Sequence, residues 1–544
     1  MSTWVQYLPV LPIVVPLIAA ATLLLFAETQ RVPRVIIAFS ATLMQLIAAV
    51  TLLYMTTDAV PDVWSGGIGV YAIGSWPAPF GIVLVVDRLS ALMLTLNATL
   101  ALAALVYSFA RWDRVGVHYH SLFQFLLMGL NGAFLTGDLF NLFVFFEVLL
   151  AASYGLLLHG AGVPRVKAGM HYIAVNLAAS LAFLIGVAAI YGVTGTLNMA
   201  ELGVRWPTLS PGDRTLFEGG AAILGIAFLV KAGAWPLNFW LPTAYAAAGA
   251  PVAAVFSILT KVGVYAVLRV GSLLADSHAP LPFGGSWLFG IAIATIIFGI
   301  IGTLSARQLP GLVAFSVILS SGTVLAAVGL GSESMIGPAL FYLLSSVPAS
   351  GAFFLLTGMT ERIHISSPET ADVAPLAPAT YGAFRIGEPP NPYSDGEVGI
   401  AIPAVMAFLG LGFVCCALLV TGLPPLVGFL AKFTLLSAAF DALSSPSTAK
   451  QGWLLIGLLL AGGLAGLIAL MRMGMQLFWT VSERTTPRLR IIEAGPVAFL
   501  LLLSIGLTIA AGPIMTYTDS AAQMLRAPQS YIDAVLSITG AVIP

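Results

Sequence analysis

The sequence predicts an all-α polytopic membrane protein of about fourteen transmembrane helices, and three observations carry that prediction. Hydrophobic residues make up 59% of the 544 residues, charged residues only 8%, and mean hydropathy is +1.00. A soluble domain carries roughly 25% charged residues. Apolar runs of about 20 residues, enough to cross a bilayer, recur from end to end. Two of these runs stop at closely spaced prolines, each with a lysine nearby. Proline removes a backbone donor and clashes with the preceding turn, so both helices must break. Within a membrane, such breaks survive only where protein or a wet cavity covers the freed backbone.

In chain order the first spans are Val5–Phe26, Ile36–Tyr54, Val83–Phe109, Leu122–Leu135, Leu139–Leu158 and Met170–Tyr191. The first run has no basic segment before it and is long enough to span, so it reads as an uncleaved helix rather than a signal peptide. Ala221–Val230 leads into the first break, at 231–242, and Val252–Val270, Trp287–Leu304, Leu312–Leu330 and Ile336–Leu356 follow. Ile400–Val420 runs into the second break, at 421–432, and the helix resumes to Phe440. Leu454–Met471 and Val497–Ile514 complete the set. An even number of spans puts both termini on one side. The residues 1–117 then hold three helices, 118–273 a first repeat, 274–480 a second, and 481–544 the last helix and tail.

Orientation follows the Lys/Arg bias of short loops. With the N-terminus outside, inner loops hold Arg31, Arg34, Arg111, Arg114, Arg165, Lys167 and Arg307, and then Arg362, Arg385, Arg484, Arg488 and Arg490. Outer loops hold Arg88, Arg205, Arg214, Lys450 and Arg526, while Arg269 and Arg472 lie near helix ends and favour neither side. Both termini are therefore expected outside. The outer loop Thr57–Pro79 is rich in Gly, Pro and Trp, and the inner loop 361–399 carries a proline-rich run that favours extended chain. Asp519–Ile543 has the pattern of a short amphipathic surface helix.

Several functions are excluded at this stage. Net charge is −1 and no basic block exists, so nothing points to nucleic acid. Cys415 and Cys416 are adjacent in an apolar run and suit neither a disulfide framework nor zinc. No glycine fingerprint for nucleotides, no nucleophile elbow and no mid-span histidine pair for haem is present. No cofactor or metal is expected, and the chain does not read as an enzyme.

Charge inside the spans carries the functional signal. Of five lysines, Lys231, Lys261 and Lys432 fall in apolar segments. A lysine at the bilayer centre costs at least ~2.5 kcal/mol and marks a functional site by default. Snorkelling to the surface would explain a single case, but three make it a poor account. The matching carboxylate is Glu147, near the middle of its span, with Phe140 and Tyr154 on the same helix face. At ~4 Å and an effective dielectric of about 20, such a pair is worth ~4 kcal/mol. Drawing the carboxylate away removes the ammonium's support, and burial then favours release of the proton. Asp138, beside Gly137 at a helix start, reads first as a cap.

The segments Leu130–Glu147 (LNGAFLTGDLFNLFVFFE), Lys231–Pro236 (KAGAWP) and Gly422–Phe433 (GLPPLVGFLAKF) resemble the antiporter-like subunits shared by complex I and Mrp antiporters. The nearest resemblance is to the D subunits of Mrp-type (Mnh, Sha, Pha) multisubunit sodium/proton antiporters, over essentially the whole chain. It implies fourteen helices containing two inverted five-helix repeats, each with a broken helix. It also implies a proton path using Glu147, Lys231, Lys261 and Lys432, with H+ and Na+ (or K+ or Li+) as the transported ions. The implied partners are the subunits A/B, C, E, F and G of such a complex, together with membrane lipid, in a bacterial inner membrane. One departure stands out. Ala339–Ser350 has neither the histidine nor the lysine common in the family's eleventh helix, so relay there passes to Ser316, Ser320, Ser346 and bound water. The alternative reading is a proton-pumping subunit of a complex I-like or membrane-bound hydrogenase assembly.

Overall fold

A computed structural model describes residues 5–57, 64–76, 78–274, 285–365, 404–479 and 489–539. Most of the 361–399 loop, and parts of Thr57–Pro79, lie outside the described residues. Three helices come first: α1 (Leu11–Leu24), α2 (Arg31–Met55) and α3 (Arg88–Ser108). A two-stranded antiparallel hairpin, β1 (Gly69–Ala72) and β2 (Val83–Val86), precedes α3, with Gly69 opposite Val86. The expectation of one helix over Val83–Phe109 is therefore corrected. Asp87 starts the helix, because its carboxylate accepts from the Ser90 N–H while the Ser90 hydroxyl takes up the Asp87 N–H. The β-branched run before it pairs as a strand instead.

A first group then follows: α4 (Tyr119–Leu135), α5 (Leu139–Leu158), α6 (Val163–Thr194), a short α7 (Met199–Arg205), α8 (Pro211–Ala232), α9 (Trp240–Ala247) and α10 (Ala250–Leu273). The second group comprises α11 (Ser286–Ser305), α12 (Leu309–Gly329), α13 (Ile336–Ile365), α14 (Ala404–Thr421), α15 (Val427–Asp441) and α16 (Ala449–Phe478). The chain closes with α17 (Ile491–Ile509), α18 (Ala511–Arg526) and α19 (Gln529–Thr539). The last span ends earlier than expected, since the chain turns at Ala510 into α18. Two short helices, not one, form the tail.

Fourteen helices among the described residues are long and apolar enough to cross a membrane. That set counts α14 and α15 separately and leaves out α4, which has 17 residues. Joining the broken pair and adding α4 returns the expected total by a different route.

The two groups repeat one packing device. In the first, Gly129 lies against Leu149 and Gly132 against Phe145; in the second, Gly299 lies against Leu319 and Gly302 against Phe315. The intervals are identical; a Cβ at Gly129, Gly132 or Gly302 would collide with its neighbour, and one at Gly299 would be pressed to 3.1 Å. Small residues let membrane helices approach this closely. Five crossings (α4, α5, α6, the α8–α9 pair and α10) run from the start of one hairpin to the start of the other, so the two enter the membrane from opposite faces. An odd number of crossings makes the relation inverted. The ambiguous arginines also find sides. Arg472 donates to the carbonyls of Leu304 and Ala306, beside Arg307, while Arg269 bonds Asp87 at the opposite face.

Candidate functional site

Helix α8 is the first half of the first broken helix, and Gly233 ends it in the left-handed region at φ +70°. Glycine tolerates that conformation at no steric cost, which is why it closes helices. Lys231 lies in this last turn and is buried. The break at 233–239 is held partly by the other repeat, because the Trp235 N–H donates to Thr295 Oγ1 of α11 at 2.9 Å.

Glu147 of α5 and Lys231 face one another across α6 rather than in contact. Ser180 of α6 donates to Glu147 Oε1, and Lys231 Nζ donates to Ser180 Oγ at 3.5 Å. The expected direct pair is thus a bridged one. The reason is geometric: α6 packs against both α5 and α8, so the Ser180 hydroxyl reaches both charged groups. Lys231 Nζ also lies 5.9 Å from the Phe146 ring centroid, within cation–π range. A cavity of about 20 Å³, lined by Phe146, Tyr172, Asn176, Lys231, Trp240 and Leu259 among others, adjoins the amine. That is room for about one water molecule.

Gly263 of α10 packs on the backbone of Phe228, Lys231 and Ala232, where a Cβ would collide. This contact draws the middle of α10, and with it Lys261, against the end of α8. Lys261 is 1% exposed, and Lys261 Nζ donates to Ser321 Oγ at 2.8 Å and to Ser320 Oγ at 3.1 Å. Ser320 Oγ in turn donates to Ser346 Oγ at 3.0 Å, bringing α10, α12 and α13 to one point. Two of the three serines expected to serve here are therefore in the cluster. Ser316 is not, because its hydroxyl donates to the Val313 carbonyl of its own helix.

Lys432 of α15 is half-buried and is placed differently again. Its Nζ donates to the carbonyls of Thr421 at 2.7 Å and Val420 at 3.0 Å. These are orphan acceptors at the C-terminus of α14, where a cation also meets the negative end of the helix dipole. Gly422, at φ +77°, lies under the Lys432 stem, so a side chain there would meet both backbone strain and Lys432 Cδ.

Of the accessory residues, Asp138 is the N-cap of α5, its Oδ1 accepting from the Asn141 N–H at 2.8 Å. Tyr154 stands edge-on to Tyr172 at 5.1 Å between ring centroids. On the arginine-rich face, burial would raise the Asp113 carboxyl, but hydrogen bonds from His120 and Arg31 outweigh it and hold that group below the usual range.

Sequence reasoning missed Ser180, Ser321, Asn176 and Tyr172. A signal existed for three of them: Tyr172, Asn176 and Ser180 recur at intervals of four along α6, a polar stripe on an apolar helix. Ser321 gave none beyond its position next to Ser320. No group of three His, Cys, Asp or Glu that could hold a metal ion exists among the described residues.

The family described as "NADH:quinone oxidoreductase/Mrp antiporter, TM" matches residues 136–380. A Rhizobium meliloti protein, named as the probable D subunit of a K(+)/H(+) antiporter, is 52% identical over 99% of each chain. The D subunit of the Na(+)/H(+) antiporter of Alkalihalophilus pseudofirmus is 33% identical, over 97% of this chain and 99% of that one. Among solved structures, a chain of the Mrp complex from Dietzia sp. superposes with TM-score 0.79 at 25% identity, covering 98% of this chain and 100% of that one. A chain of respiratory complex I from Thermus thermophilus shares the fold, with TM-score 0.69 at 21% identity over 96% of this chain and 99% of that one.

Proposed function

The chain belongs to the family of Mrp-type antiporter D subunits, and from that premise we propose that its buried lysines make it the proton-translocating subunit of a multisubunit monovalent cation/proton antiporter. It is a multi-pass membrane protein. We place it in the bacterial inner membrane with the arginine-rich face inside and both termini outside, as the positive-inside rule requires. Its partners on this reading are the other Mrp subunits, A/B, C, E, F and G.

The observation that carries this reading is that three lysines inside the helices each donate to a different kind of acceptor. Lys231 faces a serine and, through it, a carboxylate. Among the described residues Lys261 donates to two hydroxyls, and Lys432 to two backbone carbonyls. Protons move from Lys231 to Lys261 to Lys432, with waters linking the clusters. Glu147 acts as the switch. While its carboxylate stays near, Lys231 keeps its proton; when a neighbouring protein of the complex draws it away, coulombic support is lost and the proton passes on. Glu147 suits that role because it is half-buried, on a face of α5 where Phe140 and Val144 are exposed. A protonated amine cannot ligate a metal cation, so the lysine path carries protons. The exchanged cation is Na+ or K+, and K+ enters because the more similar of the two named relatives carries it in its name.

The test is exchange in everted vesicles of the assembled complex, read with a pH-gradient dye on adding Na+ or K+. Lys231→Ala and Glu147→Ala should assemble and fail to dissipate the gradient. Full dequenching in both would sink the reading.

A further inference from the structure

Away from the lysines, three histidines gather on the arginine-rich face, around the loop 109–118 that joins α3 to α4. Arg31, the first residue of α2, donates from Nε to Asp113 Oδ2 of that loop at 2.9 Å and from a terminal nitrogen to the Phe109 carbonyl at 2.5 Å. His159, which follows the last turn of α5, meets the Trp112 carbonyl through Nε2 at 3.0 Å. The His118 N–H donates to Glu28 Oε1 at 2.9 Å, and its ring Nδ1 lies 3.3 Å from the same oxygen. His120, in the first turn of α4, places Nε2 3.8 Å from Asp113 Oδ2.

The His120–Asp113 pair differs from the other two in being buried on both sides, with the Phe109 and Tyr119 rings packed over the imidazole. His120 Nδ1 and Asp113 Oδ1 have no hydrogen-bond partner among the described residues, so the pair has unused capacity. Histidine is the side chain that ordinarily changes charge between pH 5 and 8. Asp113, already below the usual carboxylate range, stays ionised throughout that window. Burial pushes the His159 imidazole down, so that ring stays neutral and donates to the Trp112 carbonyl. Arg31 and the Tyr119 phenol keep their charge states too, and Glu28 and Arg34 are engaged with one another and with His118. His118 also titrates, but at the surface, where a pair is worth little. From His120 the packing runs unbroken to the switch. The Tyr119 ring lies 5.0 Å from that of His159, and a Cβ at Gly155 would collide with Leu122. Further in, Gly129 meets Leu149 and Gly132 meets Phe145, which stand two residues to either side of Glu147. A chain of such close contacts passes a shift of α4 on to α5.

We propose that His120 and Asp113 form a regulatory proton site, separate from the lysine path, that reads the pH on the arginine-rich face and sets how freely the Glu147 segment of α5 moves. One proton passes from water to the imidazole, and no other bond changes. Charged, the ring closes on the buried carboxylate and fixes the first turn of α4, which keeps Glu147 bridged to Lys231 and slows exchange. Neutral, the ring releases that turn and the carboxylate of Glu147 can leave. Transport that brings protons to this face is thus throttled as they accumulate there. The proton site stands on its own geometry, whereas its effect on exchange rests on the proton-translocating reading above.

The test uses the assembled complex in everted vesicles, where the buffer bathes the arginine-rich face. His120→Gln keeps a polar side chain but never takes a charge. Its exchange rate relative to the unmodified complex should be about one at pH 8 and about tenfold higher at pH 6, tenfold being one pKa unit of coupling. His118→Gln should follow the unmodified complex at both. Amide hydrogen exchange gives a readout independent of transport. Corrected for the intrinsic effect of pH, the amides of 112–121 should be about tenfold better protected at pH 6 than at pH 8, and His120→Gln should remove that step. A rate ratio equal at both pH values overturns the control of exchange. A protection step that survives in His120→Gln, or that His118→Gln removes, overturns the site. If His120→Gln does not assemble, Asp113→Asn must abolish the same step, and its persistence there overturns the site equally. Normal exchange in Lys231→Ala would sink the lysine relay and leave the protection step in place, so the two failures are distinct.

Discussion

The two broken helices carry the same parts in opposite order. In the first, Lys231 belongs to the half that ends, just before Gly233; in the second, Lys432 belongs to the half that begins, after Gly422. Both glycines sit in the left-handed region, at φ +70° and +77°. The lysines nevertheless meet different acceptors. Lys231 points away from its helix end to Ser180 and, beyond it, Glu147. Lys432 reaches back to the helix end itself and bonds two carbonyls. A carboxylate can be moved or neutralised, whereas a backbone carbonyl belongs to a helix and cannot. On the proposed reading the first break is the one that can be switched, and the second holds a charge at a fixed place.

The largest test of this contrast is Lys231→Ala beside Glu147→Gln. Both should cut exchange by about 100-fold or more, the range expected when a proton-transfer group is lost. A Glu147→Gln complex that exchanges normally would remove the switch and leave the two breaks equivalent. Next in size is Lys432→Arg. Arginine can still bond the Val420 and Thr421 carbonyls but does not give up its proton. Thermal stability in detergent should stay within about 0.5 kcal/mol of the unmodified protein while exchange falls about tenfold. Unchanged exchange would make Lys432 a helix cap and nothing more. Gly422→Ala should lower stability by somewhat over ~1 kcal/mol, from left-handed strain together with the clash on the Lys432 stem. Gly233→Ala should cost a similar amount through its φ and its contact with Leu241, so unequal midpoints would show the breaks to be differently constrained. The smallest effect belongs to Ser180→Ala. Losing one neutral bridge is worth about 1 kcal/mol, or roughly fivefold in exchange rate. A loss as large as that of Lys231→Ala would mean that Ser180 carries the proton instead of relaying a field.

The Lys261 cluster sharpens what composition can and cannot reveal. A lysine in the middle of an apolar run announces itself, since nothing in hydrocarbon repays its desolvation. Its acceptors do not. Serine is common in apolar helices, and only the packing of α12 and α13 against α10 turns Ser320, Ser321 and Ser346 into a connected set while leaving Ser316 bonded to its own backbone. The start of α3 teaches the converse. Asp87 and Ser90 stand three apart in the sequence, a readable cap, yet the apolar stretch before them masked it and the strand Val83–Val86 passed as helix.

The sequence by itself determined the membrane class, the number of crossings, both breaks and the four ionisable residues Glu147, Lys231, Lys261 and Lys432. Each of these follows from one-dimensional chemistry: hydropathy sums along the chain, proline cannot complete a helix, and a charge in an apolar run is costly wherever it points. The tertiary structure alone decided which group answers each charge. Ser180 standing between acid and base, and carbonyls rather than a side chain around Lys432, both depend on which helix lies beside which, at what rotation. Side chains only a few ångströms apart in space come from helices separated by long stretches of chain, and no local pattern encodes that meeting.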